Sequence, residues 1–495
     1  ARLEILETVR STIAEIDQQY AARYADKPLP LGLPERNAFT HAQVMWRRLA
    51  AMYLQCFEAS LAGEPALARH RALCLARAGG YFCDALAGRF RGGQADDPDL
   101  IGDLQQLVDL AAENSVLDVP VRDSLHPRGG TSVAQVYRRA LLIALAGNCL
   151  QARERQAMFD LARLWEGKTA YTALAAGVQR ELRQDDLPPA APGGRQSLRA
   201  VRLGRWLHLV DVTALSLSLR RRIRKLDAGA AVEDARLPAS FQGIAARDVL
   251  GRLHAAWCEG GDLRGQVRAA ALVRRSQAVA LGFAGNDFEA MFCLVDGRPF
   301  ILNDSGDPSD RRRYDELFVF QHAPSARSEM RARESARQFE DWEVIDESTA
   351  GFRLHRARAG ARFRVGQVVA LRLRLAGDDG PVVLAQVRWL TEPDPALQSH
   401  AGALEAGVEL LKGKPHGVGI RQVGGHLPRH NPFVAAFRLG SLHGEDSVSL
   451  VVPGGWFKPE RSFEMRDAGL AYRLRMVRVA SRGHDFELVE AILEG

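Results

Sequence analysis

Val368-Val369-Ala370-Leu371-Arg372-Leu373-Arg374-Leu375 places apolar side chains at 369, 371, 373 and 375 and arginines at 372 and 374. A period of two marks a strand with one face on a core and the other toward water. Val383, Ala385, Val387 and Trp389 repeat the alternation, and so do Leu404, Ala406, Val408 and Leu410, with Glu405 and Glu409 on the opposite face. Gly377 to Gly380 supplies a hairpin link between the first two runs, while Gly366 and Gly407 fall where a small barrel needs a bend or a close backbone approach. Upstream stands Asp346-Glu347-Ser348-Thr349-Ala350-Gly351, preceded by arginine-rich sequence. Together these features predict a small β-barrel with a binding motif for a small anionic ligand.

The stretch from Arg327 to Ile420 resembles the PilZ domain family. The resemblance is carried by the Asp346/Ser348/Gly351 motif, Phe352-Arg353-Leu354 after it, Val365-Gly366-Gln367-Val368, Gln386-Val387-Arg388-Trp389, and the closing Glu405-Ala406-Gly407-Val408-Glu409-Leu410. It implies a six-stranded antiparallel barrel and, as in many bacterial members, cyclic di-GMP as ligand. Binding members carry an Arg-x-x-x-Arg element ahead of the barrel, whose guanidiniums grip phosphates and stack on guanine. Two such pairs stand here, Arg327/Arg331 and Arg333/Arg337, with Arg311-Arg312-Arg313 as a further source; only nine positions separate Arg337 from Asp346. By the same resemblance Asp346 and Ser348 would hydrogen-bond the guanine edge, and Gly351 would allow backbone that a Cβ forbids.

The length of 495 residues allows several domains, and 46% hydrophobic with 25% charged residues is an ordinary soluble composition. No apolar run approaches the roughly 20 residues that span a bilayer, and no secretory signal is visible at the start, so the sequence predicts a cytoplasmic protein without membrane insertion. The net charge of +6 is small for this length and is nearly all arginine. The sharpest cluster, Arg220-Arg221-Arg222-Ile223-Arg224-Lys225, reads as a solvated helix face, with nucleic acid or an acidic partner as the other use of it. Six cysteines show no C-x-x-C pairing and read as reduced, buried thiols; His70 and Cys74 share a helix face with Cys83 nearby, but no fourth ligand completes a metal set.

Residues 1–184 read as a helical domain. Leu6, Val9, Ile13, Ile16 and Tyr20 form an apolar stripe halted by Pro28 and Pro30; Thr40 is placed to cap the next helix, and further helices are predicted at 65–86, 98–113, 131–145 and 151–165. A proline- and glycine-rich linker follows at 185–195, then a helical segment at 196–260 whose helices run over 197–226 and 245–258. Residues 261–326 read as a small β-rich segment with strands near 278–283 and 288–295, 327–421 as the PilZ-like barrel, and 422–495 as a β-rich end that either completes the first β-unit or forms another barrel. The fold class expected is thus multidomain α+β, a helical bundle followed by a β-rich region holding the barrel.

Enzymatic motifs are missing from the sequence: there is no H-E-x-x-H, no G-x-S-x-G and no Rossmann fingerprint. Gly167-Lys168-Thr169 resembles the end of a P-loop, but Ala162 stands where the first glycine is required, so it reads as a helix terminus. Gly425-His426-Leu427-Pro428-Arg429-His430 reads as a loop, and Lys412-Gly413-Lys414-Pro415-His416-Gly417-Val418-Gly419-Ile420-Arg421 reads either as a turn or as a phosphate contact through freed amides. The function expected is a bacterial cyclic di-GMP effector, not an enzyme, whose helical region engages a protein partner in motility, pili or biofilm behaviour. The alternative is a scaffold whose degenerate barrel binds protein and no nucleotide.

Overall fold

The computed structural model describes residues 2–494 apart from 174–197, 260–268, 271–278, 283–287, 301–338, 394–401, 424–430, 441–446 and shorter breaks of one to four residues. It forms two compact units, one of residues 1–266 with 391–399 and one of 267–390 with 400–495. An N-terminal helical region is followed by a β-rich half that contains a closed six-stranded barrel. Among the described residues no helix is long and apolar enough to cross a membrane.

The first unit is built on helices α1 (Arg2–Tyr24), α2 (Leu33–Leu61), α3 (Arg71–Arg91), α4 (Pro98–Glu113), α5 (Val133–Ala146) and α6 (Ala152–Trp165). Helix α3 is buried along most of its length and rich in Ala and Gly. A Cβ at Gly79 would press on Leu107 of α4 and Val136 of α5, so the small residue sets how closely the helices approach. Helix α4 starts where the sequence predicts: Pro98 opens its first turn and the Asp97 carboxylate accepts from the Asp99 and Leu100 amides. Thr40 is not a cap. It lies inside α2, which begins at Leu33 with Pro34 in its first turn.

The α1 stripe is also only half realised. Leu3 and Leu6 are buried, but Val9 and Ile16 are 36% and 37% exposed while Arg10 is inside. The helix is rotated by a charged network that hydropathy does not register. Arg10 donates to Tyr81 Oη (3.0 Å) and Asp123 (2.8 Å), and Arg77 donates to both oxygens of Glu7 (3.0 and 3.2 Å) and to the Arg122 carbonyl (2.8 Å). Tyr53 donates its hydroxyl to Glu7 (2.7 Å).

Beyond α6, strands β1 (Ala170–Ala173), β2 (Leu198–Leu203) and β3 (Trp206–Asp211) form a three-stranded sheet in the order β1-β3-β2, followed by α7 (Thr213–Asp227) and α8 (Ala246–His254). The expected helix over 197–226 is therefore a hairpin followed by a helix. Leu203 pairs with Trp206, a strand pairing that the apolar content of the segment disguised. The linker expected at 185–195 lies outside the described residues. Glu392, in the short later stretch that belongs to this unit, accepts from the Leu31 amide (3.2 Å) and Gln94 (3.1 Å), and Arg36 reaches its other oxygen (3.3 Å).

In the second unit, β4 (Ala269–Ala270), β5 (Val279–Gly282), β6 (Phe339–Ser348), β7 (Gly351–Arg356), β8 (Val368–Leu375), β9 (Asp378–Thr391) and β10 (Leu404–Leu410) make one sheet. The pairings run β5-β8-β9-β10-β7-β6 and return to β5, closing a ring of six strands, with β4 added on β6. A second, closed barrel follows: β11 (Pro415–Gln422), β12 (Val434–Leu439), β13 (Ser447–Pro453), β14 (Ser462–Asp467), β15 (Leu470–Arg482) and β16 (Phe486–Leu493), ordered β11-β12-β13-β16-β15-β14. Its interior is filled by Val418, Ile420, Leu450, Phe463, Met465, Leu474, Met476 and Val489. The C-terminal strands thus form a barrel of their own.

Residues 288–295 are not a strand: helix α9 (Phe288–Asp296) lays Phe288, Met291 and Phe292 into a core shared with Val368 and Ala370 of β8 and Phe437 and Val451 of the second barrel. Strand β8 is consequently buried on both faces, with Val368, Val369, Ala370 and Leu371 each 0% exposed, where alternation predicted a half-buried strand. Two of the glycines of 412–421 do not free amides for an anion. Gly417 and Gly419 are ladder residues of β11, the Gly417 amide donates to Asp296 (2.9 Å), and the Phe292 ring occupies the space a Cβ at Gly417 would need.

The link between the barrels is polar as well as apolar. The His484 amide donates to the Gly366 carbonyl (2.6 Å), and the Asp485 carboxylate accepts from the Val368 amide (3.0 Å) while its second oxygen is buried without a partner. Burial raises the Asp485 carboxyl to about 7, the Val368 amide pulling only partly the other way. Because the folded value lies above the unfolded one, this group's stabilisation is complete below about pH 4 and is lost as pH rises through 7. Asp485→Asn keeps the acceptor and removes the charge. Thermal melts should find the variant equal to the parent at about pH 4 or below and higher by about 4 °C or more at pH 8; a gap that is the same at both pH values would contradict this.

Candidate ligand site

Strands β6 and β7 form a tight hairpin in which Ser348 pairs with Gly351. The Ser348 hydroxyl closes the turn, accepting from the Ala350 amide and donating to the Gly351 carbonyl, both at 3.3 Å. The Ala350 carbonyl in turn accepts from the Leu410 amide (2.7 Å), pinning the turn to the end of β10. Gly351 pairs with Glu409, and a Cβ there would collide with the Val408 carbonyl. Its φ is not among the left-handed ones. The glycine is therefore required by close approach of two strands, and not by an unusual dihedral.

Asp346 is registered against Arg353 on β7, next to a register shift between Val344 and Asp346. Its carboxylate is 16% exposed and 4.0 Å from the Arg353 guanidinium, which also donates to Glu405 on β10 (2.8 Å). Asp346, Arg353 and Glu405 thus make a charge ladder over three adjacent strands on the ring. Arg353 was legible in the sequence only as a residue of an apolar run. Its signal was positional: two residues beyond Gly351, it must return opposite Asp346. Arg327, Arg331, Arg333, Arg337 and Arg311 to Arg313 lie outside the described residues, in the segment that runs into β6. The structure brings Asp346, Ser348 and Gly351 to one hairpin.

A second arginine of β7 was missed. Arg356, 4% exposed, stacks on Trp342 (5.2 Å to the ring centroid) and Phe363 (5.7 Å), and donates to Glu340, to the Ala361 carbonyl (2.9 Å) and to the Gly402 carbonyl (3.3 Å). Trp342 and Phe363 meet edge to face at 5.6 Å. This cluster ties the end of β7 to β6 and to the loops on either side.

In the helical unit, Ser216 lies 2.9 Å from Nε2 of His254, whose Nδ1 is 3.0 Å from Glu259. Arg220 donates to the same Nε2 (3.2 Å), and a guanidinium has no acceptor, so the imidazole proton sits on Nδ1 facing Glu259. Burial lowers the His254 pKa, with Glu259 opposing and Arg220 assisting. The order of groups is that of a nucleophile, base and acid relay. Ser216, however, is 7% exposed within α7, and the shared Nε2 makes the chain a tie between α7 and α8. Cys74 and Cys83 are buried, and burial pushes the Cys74 thiol up to about 12. Among the described residues no group of three or more His, Cys, Asp or Glu is arranged to hold a metal ion.

The N-terminal unit supplies the link to known proteins. Residues 1–216 match a family model described as the cyclic-di-GMP receptor FimW, N-terminal domain. The match spans α1 to α6 and the sheet β1 to β3 and ends within the first turn of α7, so it covers most of the helical unit, leaves out α8, and stops before the barrels. No curated protein and no solved structure matches the chain.

Proposed function

We propose that this protein is a bacterial cyclic di-GMP effector in which the PilZ-like first barrel binds the nucleotide and the helical unit engages a protein partner in motility, pili or biofilm behaviour. The observation that carries this reading is the similarity of residues 1–216 to the N-terminal domain of a cyclic di-GMP receptor, in a chain whose barrel displays Asp346, Ser348 and Gly351 on one hairpin. Asp346 and Ser348 take the guanine edge, and an arginine pair from 327–337 takes the phosphates. That segment leads directly into β6, the strand that carries Asp346 and contacts β4, β5 and β7. Contact of that segment with the ligand would shift the population of arrangements at β6, a change available to a partner. No catalytic step is part of this reading.

A scaffold function without nucleotide is the second reading, favoured by one observation: Asp346 is already beside Arg353, and the Ser348 hydroxyl is already used within its turn. Ligand binding would have to exchange these contacts. Calorimetric titration of cyclic di-GMP separates the two. Asp346→Ala/Ser348→Ala should weaken binding by about 10- to 100-fold, the loss expected for two base-edge hydrogen bonds. Of Arg327→Ala/Arg331→Ala and Arg333→Ala/Arg337→Ala, the pair that grips the phosphates should abolish the heat. No heat from the parent protein would favour the scaffold.

A further inference from the structure

Two sequence features that lie about fifty residues apart meet in the helical unit. Lys168 ends the 3-10 turn Glu166–Lys168 that follows α6, and Arg222 sits one turn beyond Ser218 on α7. Lys168 Nζ donates to Ser218 Oγ (2.6 Å), and Arg222 Nη1 donates to the same oxygen (2.7 Å). Both cations lie on the ring of Trp165, Arg222 Cζ 4.8 Å and Lys168 Nζ 5.6 Å from its centroid. Trp165 is fully buried and packs edge to face on Trp257, so the cations stand in a half-buried recess floored by an indole.

Arg10, Arg77, Arg139 and Arg252 of the same unit each have a carboxylate within 4 Å. Among the described residues no carboxylate is paired with Lys168, Arg221 or Arg222. A serine hydroxyl is a neutral acceptor, so it does not neutralise the two cations that share it, which repel each other. Burial, then the neighbouring arginines, lowers the pKa of both Lys168 and Arg222. The Nε of Arg222 is buried with no acceptor. An ammonium and a guanidinium fork converging on one point, with a hydroxyl between them, form a cradle for a tetrahedral dianion, the geometry in which Arg is bidentate and Lys a point charge.

We propose that Lys168, Ser218 and Arg222 form a phosphate-group site in the helical unit, separate from the barrel and independent of nucleotide binding there. Its occupant is a phosphate monoester or diphosphate, either of a soluble molecule or of a lipid headgroup. A single recessed contact of this kind suits one phosphate group better than the spaced phosphates of a nucleic acid.

The test is calorimetry of inorganic pyrophosphate with the full chain at constant ionic strength, on the parent, Lys168→Met, Arg222→Met and Arg224→Gln. Saturable binding is expected, weaker by about tenfold or more in Lys168→Met and Arg222→Met, the loss of one charge-assisted contact, and unchanged in Arg224→Gln, whose side chain lies on the exposed face. Without ligand, Lys168→Met should melt no lower than the parent, because it removes a repelling charge; a purely structural role for the lysine would lower the melting temperature. Sedimentation with phosphatidylcholine vesicles, with and without phosphatidic acid, then assigns the source: pyrophosphate-competed sedimentation on the acidic vesicles means a headgroup, and none means a soluble ligand. No saturation by pyrophosphate, or equal weakening in Arg224→Gln, would overturn the site. So would steeply salt-dependent duplex DNA binding that pyrophosphate does not compete.

Discussion

Arg77→Met is expected to destabilise the helical unit by about 3 kcal/mol, the cost of removing one partner from a buried charged network, which lowers its melting temperature by about 6–12 °C. Arg77 is inside the bundle and links Glu7 on α1 to Asp123 and the Arg122 carbonyl. Methionine fills much of the volume, so the loss is mainly electrostatic. Burial alone would raise the Glu7 carboxyl, but hydrogen bonds from Arg77 and Tyr53 and the charges of Arg77 and Arg10 hold it below the usual carboxylate range. Asp123 is likewise held low by Arg10 and Arg77 against its burial. Carboxyls depressed in the folded state stabilise it above their unfolded pKa and lose that contribution as pH falls through the folded value. The gap between parent and variant should therefore narrow as pH is taken from 7 toward 3. Urea unfolding at several pH values measures it; a variant as stable as the parent at pH 7 would show that the network is neutral to the fold.

Gly351→Ala is expected to lose about 2–3 kcal/mol, in the range of overpacking a tight site, and to lose ligand binding only as a consequence. The new methyl group would be driven into the Val408 carbonyl across the β7–β10 ladder, where both sides are hydrogen-bonded backbone and neither can rotate away. Gly407 makes the contrast. A Cβ there would meet the Trp389 indole, a side chain and not backbone, so Gly407→Ala should cost less. Chemical denaturation ranks the two variants. If Gly351→Ala were as stable as the parent and lost only nucleotide affinity, the glycine would serve the ligand and not the strand approach.

The same residues show how far the sequence could be read. Strands β9 and β10 were legible because their sequences alternate, whereas the second barrel was read only as a β-rich end and its first strand, β11, as a turn or a phosphate contact. Strand β8 was found, but its second buried face was not, since Arg372 and Arg374 mark only its far end and Val368 and Ala370 read equally well as filler. Helix α9 was misread because Phe288-Glu289-Ala290-Met291-Phe292-Cys293-Leu294-Val295 is an apolar run too short for its period to decide, although Phe288, Met291 and Phe292 stand at helical spacing. The hairpin of β2 and β3 was hidden by the apolar content of the segment and by the lack of an Asn-Gly or Asp-Gly signal between the strands.

At the candidate site, Asp346, Ser348 and Gly351 could be named from the resemblance of their motif to that of the PilZ family. Arg353 was given no role, because that role depends on the cross-strand register that returns it opposite Asp346 and not on its own sequence neighbours. The meeting of Lys168 with Arg222 was beyond sequence reasoning for the same reason. Each had been recognised, one as a P-loop remnant and one as part of a basic helix face, but only the packing of α7 on Trp165 joins them.

Binding of cyclic di-GMP at the β6–β7 hairpin is decided by calorimetric titration of that nucleotide into the full chain beside Asp346→Ala/Ser348→Ala. The account predicts saturable heat from the parent, with a dissociation constant of about micromolar or tighter, and affinity reduced at least tenfold in a variant that still melts cooperatively. Absence of heat from the parent, or undiminished affinity in the variant, would contradict it.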